Sequence, residues 1–289
     1  MSMDKMSKVK KIVQGVERLP ALPGVVNQVL ELTSDPDFPT PELVAVVSLD
    51  AGVTANVLRR ANSAYFGLGR KAATLDQALM RIGVENLVNI TLNSGVMPLF
   101  NQSLAGYQAD PAQLWRHCLA CALVARRLAQ LKNCPAPGEV YTAALLHDVG
   151  KLILSLHLVE EMARIADLVV AKNWPPADAE REILGVDHAI LGGLAARRWN
   201  LNESIQGGIF FHHQPQKASP NRLYANLVCL ANYLVIQCGM GCGFDERGVS
   251  LPTTVFFDLA LTPPLLDQMQ AEAQKILVKA EPLFSLVES

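Results

Sequence analysis

An imidazole and a carboxylate stand side by side in an apolar stretch of this sequence, at His147 and Asp148. Burying either group without a partner costs free energy, so each must find an opposite charge, a hydrogen bond or a metal ion. The chain has six histidines. Five of them occur where a helical protein could gather them around one site: His117, His147, His188, His212 and His213. This set predicts a metal centre, with a structural alternative in which backbone groups satisfy His147 and Asp148.

The separations between these residues are long and irregular, as in helical metal sites, whose ligands lie on several helices and converge across the core. Imidazole and carboxylate together suit a divalent transition metal such as iron, manganese, zinc or nickel, and the spacing does not select among them. The set could hold one or two ions, and a pair could activate water for attack on a phosphoester. Lys151, one helical turn after Asp148, could then reach a phosphate oxygen if the protein is an enzyme.

Single members of the set also have simpler interpretations. His188 follows Asp187, a residue type that caps helices, and could be an ordinary first-turn residue. His212 and His213 could end a helix, where the helix dipole stabilises cationic side chains. Only the combination of these histidines favours metal ligands.

The cysteines form no regular framework in a chain of this size, and we expect thiols that pack as small hydrophobic groups. Cys118 and Cys121 make a Cys-x-x-Cys pair beside His117. No second pair follows at zinc-ribbon spacing, and both lie in an apolar helix. We therefore interpret them as core residues.

Composition limits the functional classes. With 289 residues, half of them hydrophobic, the chain is long enough to bury a substantial core. A net charge of -2 offers no basic excess for a long phosphate backbone, so nothing favours nucleic acid as a partner. The N-terminus has lysines but no apolar core of the kind that a secretory signal needs, and we expect a cytoplasmic protein.

Apolar residues recur at helical spacing almost throughout, which predicts an all-α protein of two packed helical bundles. We predict an N-terminal tail at 1–14, a first helical subdomain at 15–105 and a second at 106–289. The boundary follows from a polar segment that precedes a long apolar helix.

One uncharged stretch, Leu223–Phe244, is long enough to cross a bilayer. Its amides, which include Asn226 and Asn232, would lie unpartnered in lipid, and no basic flank follows. We interpret this stretch as a buried helix and expect no membrane span.

Two groups of residues resemble known families. The set described above, with Lys151 closing a His-Asp-x-x-Lys run, resembles the HD superfamily of metal-dependent phosphohydrolases, including the layout of its two-metal cyclic-dinucleotide phosphodiesterases. Three blocks in the first half, Leu19–Pro23, Asn62–Ala64 and Gln77–Gly83, are similar to the N-terminal signature of the HDOD family, the HD-related output domain. The resemblance covers roughly residues 15–240.

This resemblance implies an all-helical bacterial signalling or regulatory module whose second subdomain is HD-like. Its members are generally regarded as non-enzymatic. The expected partner is a signalling protein or a small nucleotide, and the oligomeric state stays open. The competing hypothesis is a metal-dependent phosphohydrolase, either a phosphodiesterase or a phosphatase.

The chain departs from the HD pattern at two points. Where the pattern has a closing aspartate, the sequence has Asn232, a weak or lost ligand position. An amide oxygen brings no negative charge, so metal affinity should fall. After His213 the residues Gln214–Lys217 contain no Gly-Tyr-Pro element, and cyclic-di-GMP phosphodiesterase activity is not expected.

Overall fold

The computed structural model describes residues 11–12, 14–35, 37–66, 71–100, 104–244 and 247–284. Within these ranges the chain forms fourteen named α-helices and no β-strand, apart from an isolated bridge between Leu104 and Ala109. The predicted all-α fold class is confirmed. The predicted tail at 1–14 falls mostly outside the described residues.

Contacts divide the chain into two compact units. One comprises Pro20–Leu99 with Leu277–Ser289, and the other comprises Met1–Leu19 with Phe100–Ile276. The predicted boundary at 105 stays a prediction. Residues 11–12 and 14–19 belong to the larger unit and residues 277–284 to the smaller one, so each unit includes a segment that is distant from the rest of it in sequence.

The described residues of the smaller unit form four complete helices: α1 (Gly24–Leu32), α2 (Thr40–Ser48), α3 (Ala51–Ala61) and α4 (Leu75–Val96). The Asp50 side chain caps α3 by accepting a 2.9 Å bond from the backbone of Val53. The Asn62 amide bonds both the N–H and the carbonyl of Ala72, which closes the loop between α3 and α4. Gly83 kinks α4 with a φ of 78°, a conformation that favours glycine.

The larger unit carries the predicted site. Its helices are α5 (Pro111–Leu131), α6 (Pro137–Leu146), α7 (Gly150–His157), α8 (Val159–Lys172), α9 (Pro176–Leu184), α10 (His188–Arg198), α11 (Glu203–Phe210), α12 (Arg222–Gln237) and α13 (Thr253–Asp258). A final helix, α14 (Pro263–Phe284), continues past residue 276. A capping box between Asp110 and Gln113 begins α5, which packs against α6 and α12. Helix α10 packs against α7 and α11.

The uncharged stretch predicted to be a buried helix corresponds to α12, ten of whose residues are buried. Among the described residues, no single helix is both long and apolar enough to span a membrane. Two bent helix pairs, Thr40–Ser48 with Ala51–Ala61 and Pro137–His157 with Val159–Lys172, meet that test by length and composition only.

Candidate metal centre

The first predicted residues come from one helix face and one tight turn. His117 lies on α5, two turns after its N-terminus. His147 follows the last residue of α6, and Asp148 continues the turn into α7, which begins at Gly150. All three side chains are almost completely buried. The turn therefore places an imidazole and a carboxylate next to the face of α5.

The remaining histidines come from α10 and from the end of α11. His188 is the first residue of α10, and the Asp187 side chain caps that helix, as predicted, with a 2.9 Å hydrogen bond. His212 and His213 follow α11 in a turn. A Cβ atom at Gly150 would lie 1.9 Å from the His188 carbonyl oxygen, so only glycine lets α7 approach α10 this closely.

Four of the histidines are oriented through Nδ1, which donates to a fixed acceptor. The acceptors are the Met240 carbonyl for His117 (2.8 Å), the Ala144 carbonyl for His147 (2.7 Å), the Ile209 carbonyl for His212 (2.8 Å) and the Glu180 carboxylate for His188 (2.7 Å). This arrangement is typical of histidines that ligate metals, because it leaves the Nε2 lone pair for the ion.

The Nε2 atoms converge on the carboxylate of Asp148 from two sides. Oδ2 lies 3.5 Å from Nε2 of His117 and 3.4 Å from Nε2 of His147. Oδ1 lies 3.1 Å from Nε2 of His188 and 3.9 Å from Nε2 of His212. We call His117 and His147 the inner half of the site, and His188, His212 and His213 the outer half. A carboxylate between two such groups can serve both, and two-metal sites use this arrangement.

Two buried nitrogen atoms of this cluster have no hydrogen-bond partner among the described residues, which suits a divalent metal ion. The Nε2 atoms of His147 and His212 are buried and find no hydrogen-bond partner among the described residues. Such orphaned polar atoms are rare and costly unless a ligand or ion completes them. In the outer half, Nε2 of His213 lies 2.8 Å from Nε2 of His188, and the three outer ligand atoms lie within 4.8 Å of one another.

Lys151 is also buried, and its Nζ lies 2.7 Å from Oδ2 of Asp148. The same ammonium lies 5.5 Å above the ring of Tyr107. The Tyr107 hydroxyl in turn donates to Oε1 of Glu180 at 2.7 Å. Lys151 and Tyr107 thus link the shared carboxylate to the carboxylate that orients His188.

Sequence reasoning missed Glu180 and Tyr107. Glu180 is completely buried and accepts bonds from both the backbone and the ring of His188. In the sequence it stands in the charged run Asp178–Glu182, which is typical of a solvated helix face. The only available signal is its position one turn after Ala177, which α9 also buries.

Electrostatic effects divide the histidines into two kinds. Burial lowers the pKa of His147 well below its ordinary value and lowers that of His212 to about 4. Burial also acts to lower the pKa of His188, but the charge of Glu180 outweighs it and raises that pKa to about 10. Near neutral pH, His147 and His212 are therefore neutral and ready to bind an ion, whereas His188 without metal carries a proton.

The shared carboxylate stays ionised. Burial acts to raise the pKa of Asp148, but its interactions with His147 and Lys151 outweigh that effect and hold the pKa well below its ordinary value. In the metal-free site, two buried anions, Asp148 and Glu180, therefore face two buried cations, Lys151 and His188. This balance makes the burial of four ionised groups tolerable.

A cleft of about 180 Å³ opens onto the outer half. Its lining includes Asp148, Lys151 and the three outer histidines, but neither histidine of the inner half. Asn232, on α12, lines the same cleft, and its Oδ1 is buried without a hydrogen-bond partner among the described residues. The structure therefore gathers every residue predicted from the sequence as a candidate ligand or phosphate contact around one site.

Comparison with known families matches residues 19–215 to the HDOD domain, which is more than half of the chain. An uncharacterized protein of Treponema pallidum (strain Nichols) is 25% identical over 226 residues. That match covers 78% of this chain and 43% of the relative, so the chain spans less than half the length of the curated protein that it matches.

Three solved structures share the fold. An HDOD domain protein of unknown function from Geobacter sulfurreducens has a TM-score of 0.72 and 23% identity, with 98% of this chain and 96% of that chain covered. A protein of Shewanella amazonensis SB2B, provisionally named a phosphohydrolase, has a TM-score of 0.69 and 23% identity, with 94% and 98% covered. A protein of Marinobacter aquaeolei VT8, provisionally named a signal transduction protein, has a TM-score of 0.79 and 19% identity, with 99% and 67% covered.

The family match includes the Asn62–Ala64 and Gln77–Gly83 blocks as well as most of the histidine and aspartate cluster. The resemblance inferred from the sequence is confirmed, and the chain belongs to the HDOD family.

Proposed function

We propose that this protein is a regulatory output module that binds one or two divalent transition-metal ions in its histidine and aspartate cluster. Metal in the outer half contacts a signalling protein or a small phosphate-bearing ligand such as a nucleotide. The protein does not turn this ligand over efficiently. The observation that carries the proposal is the convergence of four Nε2 atoms on the two oxygens of Asp148. Each of these rings is already oriented as a metal ligand.

Two features favour binding over catalysis. Asn232 lines the cleft where the HD pattern has a carboxylate, so the site has one negative charge fewer to hold an ion and to activate water. The cleft volume, about 180 Å³, lies below the range of about 300–1,000 Å³ that is usual for small-molecule pockets. A space of this size accommodates a phosphate group.

The fold neighbour from Marinobacter aquaeolei, provisionally named a signal transduction protein, agrees with a regulatory role. The family resemblance itself implies an output module. Neither identifies the partner, which we assign by chemistry to a ligand with a phosphate or carboxylate group, because the cleft offers Lys151 and any bound metal as cationic contacts.

A second candidate function is phosphoester hydrolysis. It is favoured by the openness of the cleft towards Lys151 and the outer histidines, which would bring a substrate phosphate to the metal. A bound ion would supply Lewis acidity and an activated water. In that case Lys151 would bind a phosphate oxygen, and Asp148 would hold the metal. The fold neighbour from Shewanella amazonensis that is provisionally named a phosphohydrolase agrees with this alternative.

Elemental analysis of protein purified without chelators, followed by a panel of phosphoester substrates, separates the two candidates. We expect bound transition metal, calorimetric binding of inorganic phosphate or a nucleoside monophosphate, and no turnover. Turnover that His147→Ala and Asp148→Ala abolish would establish the hydrolase instead. His157→Ala is the matched control, because His157 is the one histidine of the six outside the cluster. Metal-free protein that binds no phosphate would exclude both candidates.

Asn232→Asp tests the lost ligand position. The new carboxylate should tighten metal binding by roughly tenfold, the lower end of the effects that ligand-sphere changes produce. The measurement is metal affinity in competition with a chromogenic chelator, with Tyr233→Phe on the same helix as the control. An unchanged affinity would mean that Asn232 does not occupy the position of the missing aspartate.

A further inference from the structure

A thiol lies at the inner half of the site. Cys121 is four residues after His117 on α5, so the two side chains lie on the same helix face. Its Sγ is 3.6 Å from Nε2 of His117, and the side chain is completely buried. The ligand atoms of His117, Cys121 and His147 all lie within 4.8 Å of one another.

Three distances between ligand atoms at the inner half have the lengths of edges of a tetrahedron around one zinc ion. At the usual zinc bond lengths, a nitrogen and an oxygen ligand lie about 3.4 Å apart, and a nitrogen and a sulfur ligand about 3.6 Å apart. Oδ2 of Asp148 lies 3.5 Å from Nε2 of His117 and 3.4 Å from Nε2 of His147, and Sγ of Cys121 lies 3.6 Å from Nε2 of His117. The spacing of the thiol and the His117 imidazole is therefore the spacing of two ligands of one zinc ion.

Charge also points to the thiol. Oδ2 of Asp148 is already paired with the ammonium of Lys151, and histidines supply no negative charge. An ion at the inner half therefore lacks an anionic ligand of its own. A buried divalent charge needs nearby negative charge. A thiolate from Cys121 would supply it, and Nε2 of His147, buried and without a hydrogen-bond partner among the described residues, would complete the set.

The inner half is closed to the cleft. Neither of its histidines nor Cys121 lines the cleft, and all of these side chains are almost completely buried. Structural zinc sites have four protein ligands and no open position, whereas catalytic sites keep one position for water or substrate.

We propose that Cys121 is a metal ligand that joins His117 and His147 at a zinc ion in the inner half, beside the shared carboxylate of Asp148, and that exchange of external ligands is left to the outer half. This inference rests on the metal centre of the proposed function and specifies its ligands. On binding, zinc displaces the thiol proton to solvent. It revises the interpretation of Cys121 as a plain core residue. Cys118 is the competing thiol, because it also lies within 4.8 Å of ligand atoms of His147 and Asp148.

X-ray absorption of the zinc-loaded full-length protein tests the proposal. We expect a sulfur neighbour at about 2.3 Å from zinc. Cys121→Ser should remove that sulfur and weaken zinc binding by at least about tenfold, while Cys118→Ser should keep both. The cobalt-loaded protein provides a second measurement, since its thiolate charge-transfer absorption should disappear in Cys121→Ser and persist in Cys118→Ser. Circular dichroism verifies that each variant is folded.

The outcomes are distinct. Zinc bound through nitrogen and oxygen alone in the unmodified protein would overturn the role of Cys121 and leave the metal centre of the proposed function intact. Loss of sulfur in Cys118→Ser but not in Cys121→Ser would assign the ligand to Cys118. Absence of bound zinc would overturn the zinc site proposed here, whereas absence of every divalent transition metal would also overturn the metal centre of the proposed function. If Cys121→Ser fails to fold, the unmodified protein and Cys118→Ser still decide the matter through the presence and persistence of the sulfur neighbour.

Discussion

The inner and outer halves of the site use the same side chain in different surroundings. Both inner histidines donate Nδ1–H to backbone carbonyls, and neither of them lines the cleft. In the outer half, His188 donates to the buried carboxylate of Glu180, and all three histidines line the cleft. Backbone acceptors orient a ring without adding charge, whereas a carboxylate also raises its basicity. From this comparison we expect a structural inner half and an outer half that responds to ligands and pH.

The largest effect is expected at the residue that both halves share. Asp148→Asn leaves the buried charges of Lys151 and His188 short of an anion and should destabilise the protein by about 3–5 kcal/mol. Metal should be lost from both halves. Urea unfolding and metal titration measure the two effects, with Asp167→Asn, an exposed aspartate of α8, as the control. The double variant Asp148→Asn/Lys151→Met should regain stability but not metal, and full metal binding by the single variant would refute the shared-carboxylate arrangement.

Gly150→Ala should affect the outer half of the site but not the inner half. The added Cβ would meet the His188 carbonyl at 1.9 Å and the Gly192 nitrogen at 2.8 Å, so α7 and α10 must move apart. We expect a loss of about 1–3 kcal/mol in the free energy of unfolding and loss of metal from the outer half, with the inner half retained. Gly138→Ala is the control, since its Cβ would meet nothing within 4 Å. Equal losses from both halves would show that they are not independent.

Glu180→Gln removes the charge behind His188 and keeps an acceptor oxygen. Metal affinity of the outer half should fall by about 10–100-fold, and that of the inner half should stay unchanged. Competition titration with a chromogenic chelator resolves the two affinities. Glu182→Gln, an exposed position on the same helix, should change neither. An unchanged metal affinity of the outer half would show that Glu180 does not contribute to metal binding there.

The smallest effect is a pH dependence of the metal-free protein. The fold raises the pKa of His188 from 6.5 to about 10, so the folded state holds this proton more tightly than the unfolded chain. The resulting stabilisation is complete below pH 6.5 and is lost as pH rises through about 10. The slope is at most about 1.4 kcal/mol per pH unit. In the presence of chelator, the free energy of unfolding measured with urea should fall more steeply between pH 6 and about 10 for the unmodified protein than for Glu180→Gln. Equal slopes would mean that the pair of Glu180 and His188 does not cause the pH dependence.

Most of the helical architecture could be predicted, because amphipathic periodicity and capping residues are local properties. The Asp187 cap of α10 is an example. The assignment of residues 14–19 and 277–284 to their compact units could not be predicted in this way, since it depends on contacts between segments far apart in sequence.

The candidate site was predictable to a different extent. Histidine and aspartate are rarely buried without partners, so their occurrence in apolar segments identified the cluster. Glu180, Tyr107 and Cys121 were not identified as site residues, because a glutamate in a charged run, a tyrosine in a loop and a cysteine in an apolar helix all have commoner explanations. Only their distances to the histidines distinguish them.

By itself, the sequence determined the helical fold class through local periodicity and the candidate ligands through residue type. It determined the family through the resemblance of its motifs to those of the HDOD domain. The tertiary structure alone decided how Asp148 is shared, which histidine carries a charge and which half reaches the cleft. Those properties depend on distances of 2.7 to 3.9 Å between residues from separate helices and turns. Electrostatic interactions at such range, in a buried environment, cannot be inferred from spacing along the chain.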